Sequence, residues 1–391
     1  MVIDGSDPTP KYYQLKKHLV GRIERHQARV GDQLPSEDEL ARQYGVSRNT
    51  VRQALDVLEH EGYIERSHGR GTFVISDRPR CAALSWMVIV PDVRYPMYPE
   101  LIRGIEDVAR QNGISLILGN SDYKPEQQAA YIERARQERV AGVALSPVLF
   151  GEQNPQSLSS LIKSGIPLVF VVRGITGVDA PRVVCQNRLG GYLAAEHLVS
   201  LGHRRIAFIS WPRYHVTLER YAGYADALRE AGIAERAEFV RFAPDVDPGD
   251  PTWRDRAEGF VRRAAAEVLA LDDPPTALFV PRDPTAFLVC EDLERSGRRV
   301  PEDISIVGFD ALPPPEFAKG RLTSIAYPKY DSGLEAGKLL LGLSQAQEVP
   351  PTVELTPTLV VGFSTCPPVV SLESREAPVA GGGLRVVKAG A

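Results

Sequence analysis

The 391-residue sequence predicts a multidomain protein: an N-terminal α+β winged helix-turn-helix followed by a two-lobed α/β domain. Three observations predict this fold class. Residues 36–62 contain a capped helix, a glycine turn and a second capped helix, and residues 63–75 contain two short strands around a basic, glycine-containing loop. From residue 85 onwards, apolar runs of strand length alternate with amphipathic helices, which is typical of parallel βαβ units. The length itself indicates two or three domains.

The composition is that of a water-soluble globular protein, with 43% apolar and 25% charged residues. The longest apolar runs, such as residues 166–172, are far shorter than a membrane span. Residues 1–9 lack the basic-then-apolar pattern of a secretory signal, so we expect a cytoplasmic protein with no membrane partner. The four cysteines are isolated from one another, which argues against a zinc site or a disulfide framework. We expect no metal, no cofactor and no catalytic residues.

The first three helices are indicated by apolar spacing and by capping residues. The first is predicted over residues 12–29, where apolar side chains recur every four residues. Ser36 and Glu39 have the spacing of a capping box, which predicts the start of a second helix. Gly45 permits the tight turn that follows it, and Ser47 caps the third helix.

The N-terminal face of the third helix carries side chains suited to DNA. Arg48 and Arg52 lie one turn apart, and arginine can donate two hydrogen bonds to the edge of guanine. In the loop between the two strands, His68 and Arg70 can enter the minor groove or hold its phosphates. The alternative is a helix-turn-helix used only for packing, whose charges form a solvated face. The predicted DNA-contacting residues are Ser36, Ser47, Arg48, Asn49, Thr50, Arg52, His68, Gly69 and Arg70.

The charge distribution supports DNA binding only locally. The whole chain has a formal net charge of −4, whereas residues 8–75 contain eleven lysines and arginines against nine acidic residues. The electrostatic footprint for DNA is therefore a small patch and not a property of the whole chain.

Residues 10–74 resemble the GntR family of bacterial winged-helix regulators. The segments that carry the resemblance are 35–40 (PSEDEL), 45–52 (GVSRNTVR) and 68–74 (HGRGTFV). The resemblance implies that Arg48 and Arg52 contact bases or phosphates and that residues 68–69 supply a wing contact. One departure is Asp38, where several relatives have an arginine that touches DNA. The resemblance therefore implies a different set of recognised bases.

The remainder of the chain is predicted to form two α/β lobes in succession. Strands and helices alternate over residues 86–172 and again over residues 189–309. Because ligands bind beyond the carboxyl ends of parallel strands, we expect a ligand in the cleft between the lobes. The predicted divisions are a DNA-binding domain at 8–75, a linker at 76–84, an effector-binding domain at 85–366 and a disordered tail at 367–391.

Several segments within residues 86–365 resemble the effector domain of the LacI/GalR family, itself similar to periplasmic sugar-binding proteins. They are 90–92 (VPD), 119–122 (GNSD), 195–198 (AEHL), 201–206 (LGHRRI), 220–224 (RYAGY), 300–310 (VPEDISIVGFD) and 322–324 (LTS). The resemblance implies a polyol-binding cleft in which Arg220 and Asp310 contact ligand hydroxyls. The predicted DNA-binding domain (the head) and the predicted effector-binding domain (the sensor) together resemble the arabinose-repressor type within the GntR family.

The expected effector-contacting residues leave several interpretations open. Tyr95 and Trp211 could stack on a pyranose or belong to the core. Arg220 could form an inter-lobe ion pair, and Asp310 could cap a helix or loop. Arg282 stands where relatives often have asparagine, and with Arg220 it could favour an acidic sugar or a phosphate. The full set is Tyr95, Asp122, Trp211, Arg220, Arg282 and Asp310.

The leading functional hypothesis is a ligand-controlled transcriptional regulator of the repressor type. Its expected partners are operator DNA, a sugar or sugar derivative, and a second copy of the chain. An enzyme with a DNA-binding head is the second hypothesis, but the sequence lacks the P-loop, nucleophile-elbow, zinc-protease and dinucleotide motifs. A DNA-binding protein with a vestigial or non-sugar sensor is the third, and the sequence leaves it open.

Overall fold

The N-terminal head contains three helices and a small sheet. A computed structural model describes residues 9–25, 27–67, 70–76, 84–148, 155–245, 250 and 252–369. The elements of the head are α1 (Lys11–Glu24), β1 (Gln33–Leu34), α2 (Glu37–Tyr44), α3 (Arg48–His60), β2 (Ile64–Ser67) and β3 (Gly71–Val74). The sheet is antiparallel with the strand order β1-β3-β2, so β2 and β3 form the predicted wing and β1 is a strand that the sequence did not indicate.

The first helix is shorter than the apolar spacing predicted. It ends at Glu24 and not near residue 29, because the chain turns there and places Ala28 in the core of the head at 5% exposure. A further turn is closed by the Arg29 backbone N–H, which donates to the Asp32 carboxylate at 2.7 Å, and the chain then enters β1. The predicted capping box at the start of α2 is present, with Ser36 and Glu39 hydrogen-bonded reciprocally.

The sensor region consists of two α/β lobes. Its first elements are β4 (Ser85–Val90), α4 (Met97–Gln111), β5 (Ser115–Asn120), α5 (Pro125–Gln137), β6 (Gly142–Leu145), α6 (Pro155–Lys163), β7 (Leu168–Val171) and β8 (Arg182–Cys185). The next are α7 (Asn187–Ser200), β9 (Ile206–Ser210), α8 (His215–Glu230), a 3₁₀ turn (Ala237–Phe239), β10 (Val240–Phe242), α9 (Trp253–Val268), β11 (Ala277–Phe279), α10 (Asp283–Arg295), β12 (Ser305–Phe309) and β13 (Thr323–Ala326). The last are α11 (Lys329–Ser344), β14 (Thr352–Leu355) and β15 (Thr358–Val360).

Each lobe is built on one six-stranded sheet. Lobe one has the order β14-β8-β7-β6-β4-β5 with every pair parallel. Lobe two has the order β10-β9-β11-β12-β13-β15, and only β15 runs antiparallel to its neighbour. Helices cover both faces of each sheet, which explains why the central strands are continuous apolar runs and not alternating ones.

The prediction that the lobes follow one another along the chain is wrong in its last part. The chain returns to lobe one for α11 and β14 and then to lobe two for β15, so it crosses between the lobes three times. The cause is packing, because buried side chains of α11 such as Leu340 complete the apolar core around α4. Three crossings form the hinge of the sensor.

The cysteines described by the structure are isolated thiols. Cys185 and Cys290 are buried, and burial raises the pKa of each to about 12, so both are neutral thiols at physiological pH. Cys366 is half-buried, and Cys81 lies outside the described residues, as do most of the predicted linker and tail. Within the described parts of the chain, no helix is both long enough and apolar enough to cross a membrane.

Candidate functional site

The N-terminal end of α3 presents the predicted DNA-contacting side chains to solvent. Gly45 ends α2 with a φ of 64°, a left-handed conformation that allows α3 to start after a two-residue turn. The Ser47 hydroxyl accepts from the Thr50 backbone N–H at 3.1 Å and caps the helix. Asn49 is exposed on the same turn, and Thr50 is half-buried. The free N–H groups and the positive end of the helix suit this surface to phosphate.

Both predicted arginines of α3 form ion pairs with acidic residues of α2. The Arg48 Nε lies 3.0 Å from the Asp38 carboxylate, and the Arg52 Nη2 lies 3.0 Å from Glu37. The hydrogen bond from Arg52 is the main reason why the pKa of Glu37 is lower than usual. All four side chains are at least partly exposed, so DNA must compete with these carboxylates for the two guanidinium groups.

The wing hairpin is held against α3 by a structural arginine. Arg66 pairs with Asp56 at 2.8 Å and donates to the backbone carbonyl of Arg52 at 3.1 Å. Arg70 remains exposed at the tip, and its carbonyl accepts from the Gln33 side chain at 3.0 Å. The predicted contacts His68 and Gly69 lie outside the described residues. The predicted contact Ser36 is exposed, but its hydroxyl takes part in the cap of α2.

The cleft between the lobes brings together five of the six predicted effector-contacting residues. Tyr95 comes from lobe one and Trp211, Arg220, Arg282 and Asp310 come from lobe two, and all five line a cavity of about 70 Å³.

The sixth predicted residue, Asp122, is not in this group. Its φ of 50° turns the chain after β5, and its exposed carboxylate accepts from Asn120 at 2.7 Å. The prediction that Asp122 faces the effector cavity therefore disagrees with its position in the structure.

Arg220 is fixed at the floor of the cavity by neutral and charged partners. Its Nε donates to the Asn187 side chain at 3.0 Å, and its Nη1 donates to the Pro281 carbonyl at 2.7 Å. Its Nη2 lies 3.8 Å from Asp310, and the guanidinium lies 3.4 Å from the centre of the Phe309 ring. The partner of Arg220 therefore belongs to its own lobe, so Arg220 does not form the inter-lobe ion pair considered above.

The position of Arg220 depends on two glycines at the crossing of α7 and α8. A Cβ at Gly191 would lie 1.9 Å from the Arg220 carbonyl oxygen, and a Cβ at Gly223 would lie 1.8 Å from the Arg188 carbonyl oxygen. Only glycine permits so close an approach of two helix backbones. The close crossing sets the depth at which the Arg220 side chain enters the cleft.

Arg282 occupies the space between the two aromatic rings. Its guanidinium lies 4.8 Å from the centre of the Tyr95 ring and 4.2 Å from that of Trp211. Its Nη1 donates to Glu258 at 2.9 Å. The two rings therefore contact a cation of the protein itself, in the cation–π arrangement that arginine commonly adopts.

Direct contacts across the cleft hold the lobes together. The Tyr95 hydroxyl donates to Asp310 at 2.5 Å, and the Arg254 Nη2 of lobe two lies 3.1 Å from Asp92 of lobe one. Burial, and then the negative charge of Asp310, raise the pKa of Tyr95 well above its usual value, so this hydroxyl stays protonated as a donor. Burial opposes ionisation of Asp92, but hydrogen bonds from Arg94 and Arg254 hold the pKa of Asp92 below its usual range.

Three residues that line the cavity have a positive φ, and the first of them is Tyr123, with a φ of 60°. Val172, directly after β7, has a φ of 71°, and Asp310, directly after β12, has a φ of 101°. Such conformations of non-glycine residues cost about 1–3 kcal/mol each and cluster at functional sites. Sequence reasoning missed eight residues of the cavity lining, among them Val172, Arg173, Tyr98 and Tyr214. The rule that ligands bind beyond strand carboxyl ends could have found the first two, because they follow β7 directly.

Family models match both parts of the chain. The model described as bacterial regulatory proteins, gntR family, matches residues 11–74, and the model described as periplasmic binding protein-like domain matches residues 195–365. Solved structures with this sensor fold include a LacI family transcriptional regulator from Mycobacterium smegmatis, at 27% identity and a TM-score of 0.61 over 73% of this chain and 100% of that one. Another is a LacI family regulator from Enterococcus faecium with bound ribose, at 28% identity and a TM-score of 0.60 over 72% and 99%.

Named relatives match along most of the chain. The arabinose metabolism transcriptional repressor of Geobacillus stearothermophilus is 30% identical over 91% of this chain and 98% of its own. The transcriptional repressor CytR of Escherichia coli K12 is 30% identical over 78% and 84%. The chain therefore belongs to the family of bacterial transcription regulators that join a GntR-type DNA-binding head to a LacI/GalR-type, periplasmic-binding-protein-like sensor.

Proposed function

We propose that this chain is a cytoplasmic transcriptional repressor whose affinity for an operator is controlled by a sugar-like effector held between the two lobes. The observation that carries the proposal is the convergence of polar side chains from both lobes on one cavity, in a chain whose head is of the GntR type. The relatives support it, because they are named as repressors and one related regulator was solved with ribose. They are regulators and not enzymes, so we propose no catalytic activity.

On DNA, α3 enters the major groove and the wing lies beside it. Arg48 and Arg52 exchange their carboxylate partners for bases or phosphates, while the N-terminus of α3 holds a phosphate. A homodimer presents two such heads to a near-palindromic operator, because the two-fold symmetry of the protein matches that of the site. We propose that the two copies of the chain pair through their sensor regions.

The effector acts by changing the contacts that join the lobes. The cavity holds about 70 Å³, whereas small-molecule sites commonly hold about 300–1,000 Å³. To fit in this cavity, a sugar must therefore displace the Tyr95–Asp310 hydrogen bond or part of the Arg220 environment and replace it with its own hydroxyls. An effector that binds one lobe arrangement better than the other changes operator affinity, with typical coupling of about 1–3 kcal/mol.

The test uses the full chain and an operator selected from random duplexes. Operator affinity is measured by fluorescence anisotropy at fixed salt, with and without each member of a panel of pentoses, hexoses, their acids and their phosphates. We expect at least one compound to change the dissociation constant by about 5–150-fold. A protein with a cleft mutation, Tyr95→Phe, is the control for action through this site. Unchanged operator affinity across the whole panel would contradict the proposal.

One observation favours a ligand-blind sensor as the second candidate. Arg282 already occupies the aromatic pair, and the remaining cavity is small. A sensor of this kind would gain no thermal stability from any metabolite, since only a ligand that binds the folded state raises stability. Melting curves with the same panel separate the two candidates, because a shift of the melting temperature by any panel member rejects the ligand-blind form.

A further inference from the structure

The cavity between the lobes has more positive than negative groups in its lining. Arg173, Arg220 and Arg282 line it, and Asp310 is the one carboxylate among its described lining residues. Most lining positions are otherwise aromatic or apolar, so the space has few other groups that can neutralise charge. Burying an ionised group is costly unless a counter-charge and hydrogen bonds accompany it.

Two of the three arginines are compensated by the protein. Arg282 pairs with Glu258 at 2.9 Å, and Arg220 faces Asp310 at 3.8 Å. Arg173 differs: its Nε donates to the Pro147 carbonyl at 2.7 Å, and within the described residues it has no ion pair with any carboxylate. Among the described residues, Arg173 is therefore left without a carboxylate at ion-pair distance.

The three arginines line the same small cavity as Tyr214. Burial raises the pKa of Tyr214, and Arg220, Arg173 and Arg282 act on it in the opposite direction through their charges. Because all four residues line one cavity of about 70 Å³, a small ligand held there is surrounded by all three arginines.

A hydrogen-bond donor in the same lining has no acceptor. Trp211 is 3% exposed, and its indole N–H is buried without a partner among the described residues. A buried donor that is left unpaired destabilises the folded protein, so such groups commonly mark a place where a ligand or water accepts. This observation is independent of the charge count and also calls for an oxygen-rich ligand.

Arg173 also opens onto a larger space behind the cleft. A pocket of about 570 Å³ at the hinge shares Val172, Arg173 and Val216 with the cleft cavity. Its other charged lining residues include both signs, namely Arg182, Arg188, Glu219 and Glu354. A substituent that projects past Arg173 therefore has room on the hinge side.

We propose that the effector is a sugar bearing one anionic group, a carboxylate or a phosphate, whose charge is set against Arg173 while another oxygen accepts from Trp211. This proposal rests on the proposed function and narrows its ligand class. The hydroxyl groups then meet Arg220 and Asp310, as in the neutral case, and the anionic group projects toward the hinge. The unpaired cation and the unpaired donor are both satisfied by one ligand.

The experiment compares matched ligands on the full chain by titration calorimetry and melting temperature. The probes are ribose, arabinose, xylose and glucose, each with its aldonate and its terminal phosphate; inorganic phosphate is included as a minimal anion. We expect one anionic compound to bind at least about tenfold more tightly than its neutral parent, which is a modest value for a buried charge pair. The carboxylate and phosphate arms identify which source of the anion the site accepts.

Variants assign the effect to the two residues. Arg173→Gln should weaken binding of the anionic ligand by about tenfold or more. It should change the affinity for the neutral parent sugar by less than about twofold. Trp211→Phe keeps an aromatic ring and removes the N–H donor. It should therefore weaken binding of the anionic ligand by a smaller factor than Arg173→Gln does. Arg134→Gln, which removes an exposed charge on α5 of lobe one, is the matched control and should change neither affinity.

The outcomes separate this inference from the proposed function. A neutral sugar that binds as tightly as its acid and its phosphate, and that also changes operator affinity, would show that the effector is not anionic. The proposed function as a sugar-controlled repressor would then still hold. If an anion binds best but Arg173→Gln leaves its affinity unchanged, the assignment to Arg173 is overturned. If no panel member binds or changes operator affinity, the proposed function fails together with the inference.

Discussion

The head and the cleft both pair arginines with carboxylates, but at opposite degrees of burial. In the head, the Arg48 and Arg52 side chains are 62% and 56% exposed, and their carboxylate partners lie 3.0 Å away. In the cleft, the Arg220 side chain is 11% exposed and that of Asp310 is 5% exposed, although their closest atoms are 3.8 Å apart. The ion pairs with the shorter distances are therefore the ones that are more exposed to water and salt.

This difference shows that distance alone does not indicate which ion pair fixes the structure. An exposed pair contributes about 0–1 kcal/mol, because water and salt screen it. Breaking a buried pair on one side costs about 3–5 kcal/mol, because the remaining charge stays desolvated. The arginines of the head can therefore exchange partners with DNA at low cost, whereas the buried Arg220–Asp310 pair within lobe two stays in place until a ligand supplies equivalent contacts.

The largest effect should come from neutralising one side of the buried pair. Asp310→Asn keeps an acceptor for Tyr95 but removes the charge that faces Arg220. We expect the sensor to lose about 3–5 kcal/mol of unfolding free energy, measured by urea denaturation of the full chain. Glu316→Gln, an exposed change in the same lobe, should stay within about 0.5 kcal/mol. A loss for Asp310→Asn as small as that of the control would show that the buried pair is not structural.

A second test uses Asp283, a buried carboxyl group at the start of α10 in the same lobe as Asp310. Burial, and then the charge of Asp310, raise the pKa of Asp283 from 3.8 to about 7. Between these values the folded protein holds a proton that the unfolded chain releases, so the contribution of this group to stability falls as pH rises through this range. We expect the unfolding free energy of Asp283→Asn, relative to the original chain, to rise by about 2 kcal/mol between pH 5.5 and 7.

The pH series has its own internal check. The two oxygens of Asp283 accept from the Leu312 backbone N–H and the Ser324 hydroxyl, each at 2.7 Å, so Asp283→Asn can cost stability at every pH. The titration of Asp283 is reported only by the pH dependence of the difference in unfolding free energy between Asp283→Asn and the original chain. A difference that stays constant from pH 5.5 to 8 would mean that the pKa of Asp283 is not raised.

Local patterns predicted most of the fold, and long-range packing explains where they did not. The caps at Ser36 and Ser47 and the glycine at Gly45 act within a few residues, so the helix-turn-helix follows from them directly. The return of α11 to lobe one depends on apolar contacts between helices that are more than 200 residues apart, and no local pattern records such contacts. The same limit explains why β1 was missed, since it exists only through its pairing with β3.

Some residues of the candidate site could be predicted from the sequence, but the groups that they contact could not. Resemblance and chemistry together indicated Arg220 and Asp310, which do line the cavity. Asp122 was indicated by the same kind of motif, but a turn directs it elsewhere. The stacking of Arg282 between two rings from different lobes depends on three distant segments, so only the folded structure could show that the rings contact a cation.

On the exposed side of the comparison, Arg48→Ala should affect DNA and not stability. We expect specific operator binding to weaken by about 1–3 kcal/mol if Arg48 reads a base. The melting temperature should stay unchanged, because the Arg48–Asp38 pair is exposed. Anisotropy on operator and random duplexes distinguishes the roles, and an equal loss on both would make Arg48 a phosphate contact. Arg134→Ala on α5 is the control for loss of one surface charge.

The smallest effect should come from Asp38, whose carboxylate competes with DNA for Arg48. Asp38→Ala removes a negative charge that would face the phosphates, so affinity for both operator and random DNA should rise by less than about 1 kcal/mol. Glu106→Ala breaks an ion pair of equal length on α4, far from the head along the chain, and should leave DNA affinity unchanged. If operator affinity falls in Asp38→Ala while random DNA binds as before, Asp38 instead holds Arg48 in the orientation that reads the base. The exposed pair would then act as a positioning element for Arg48.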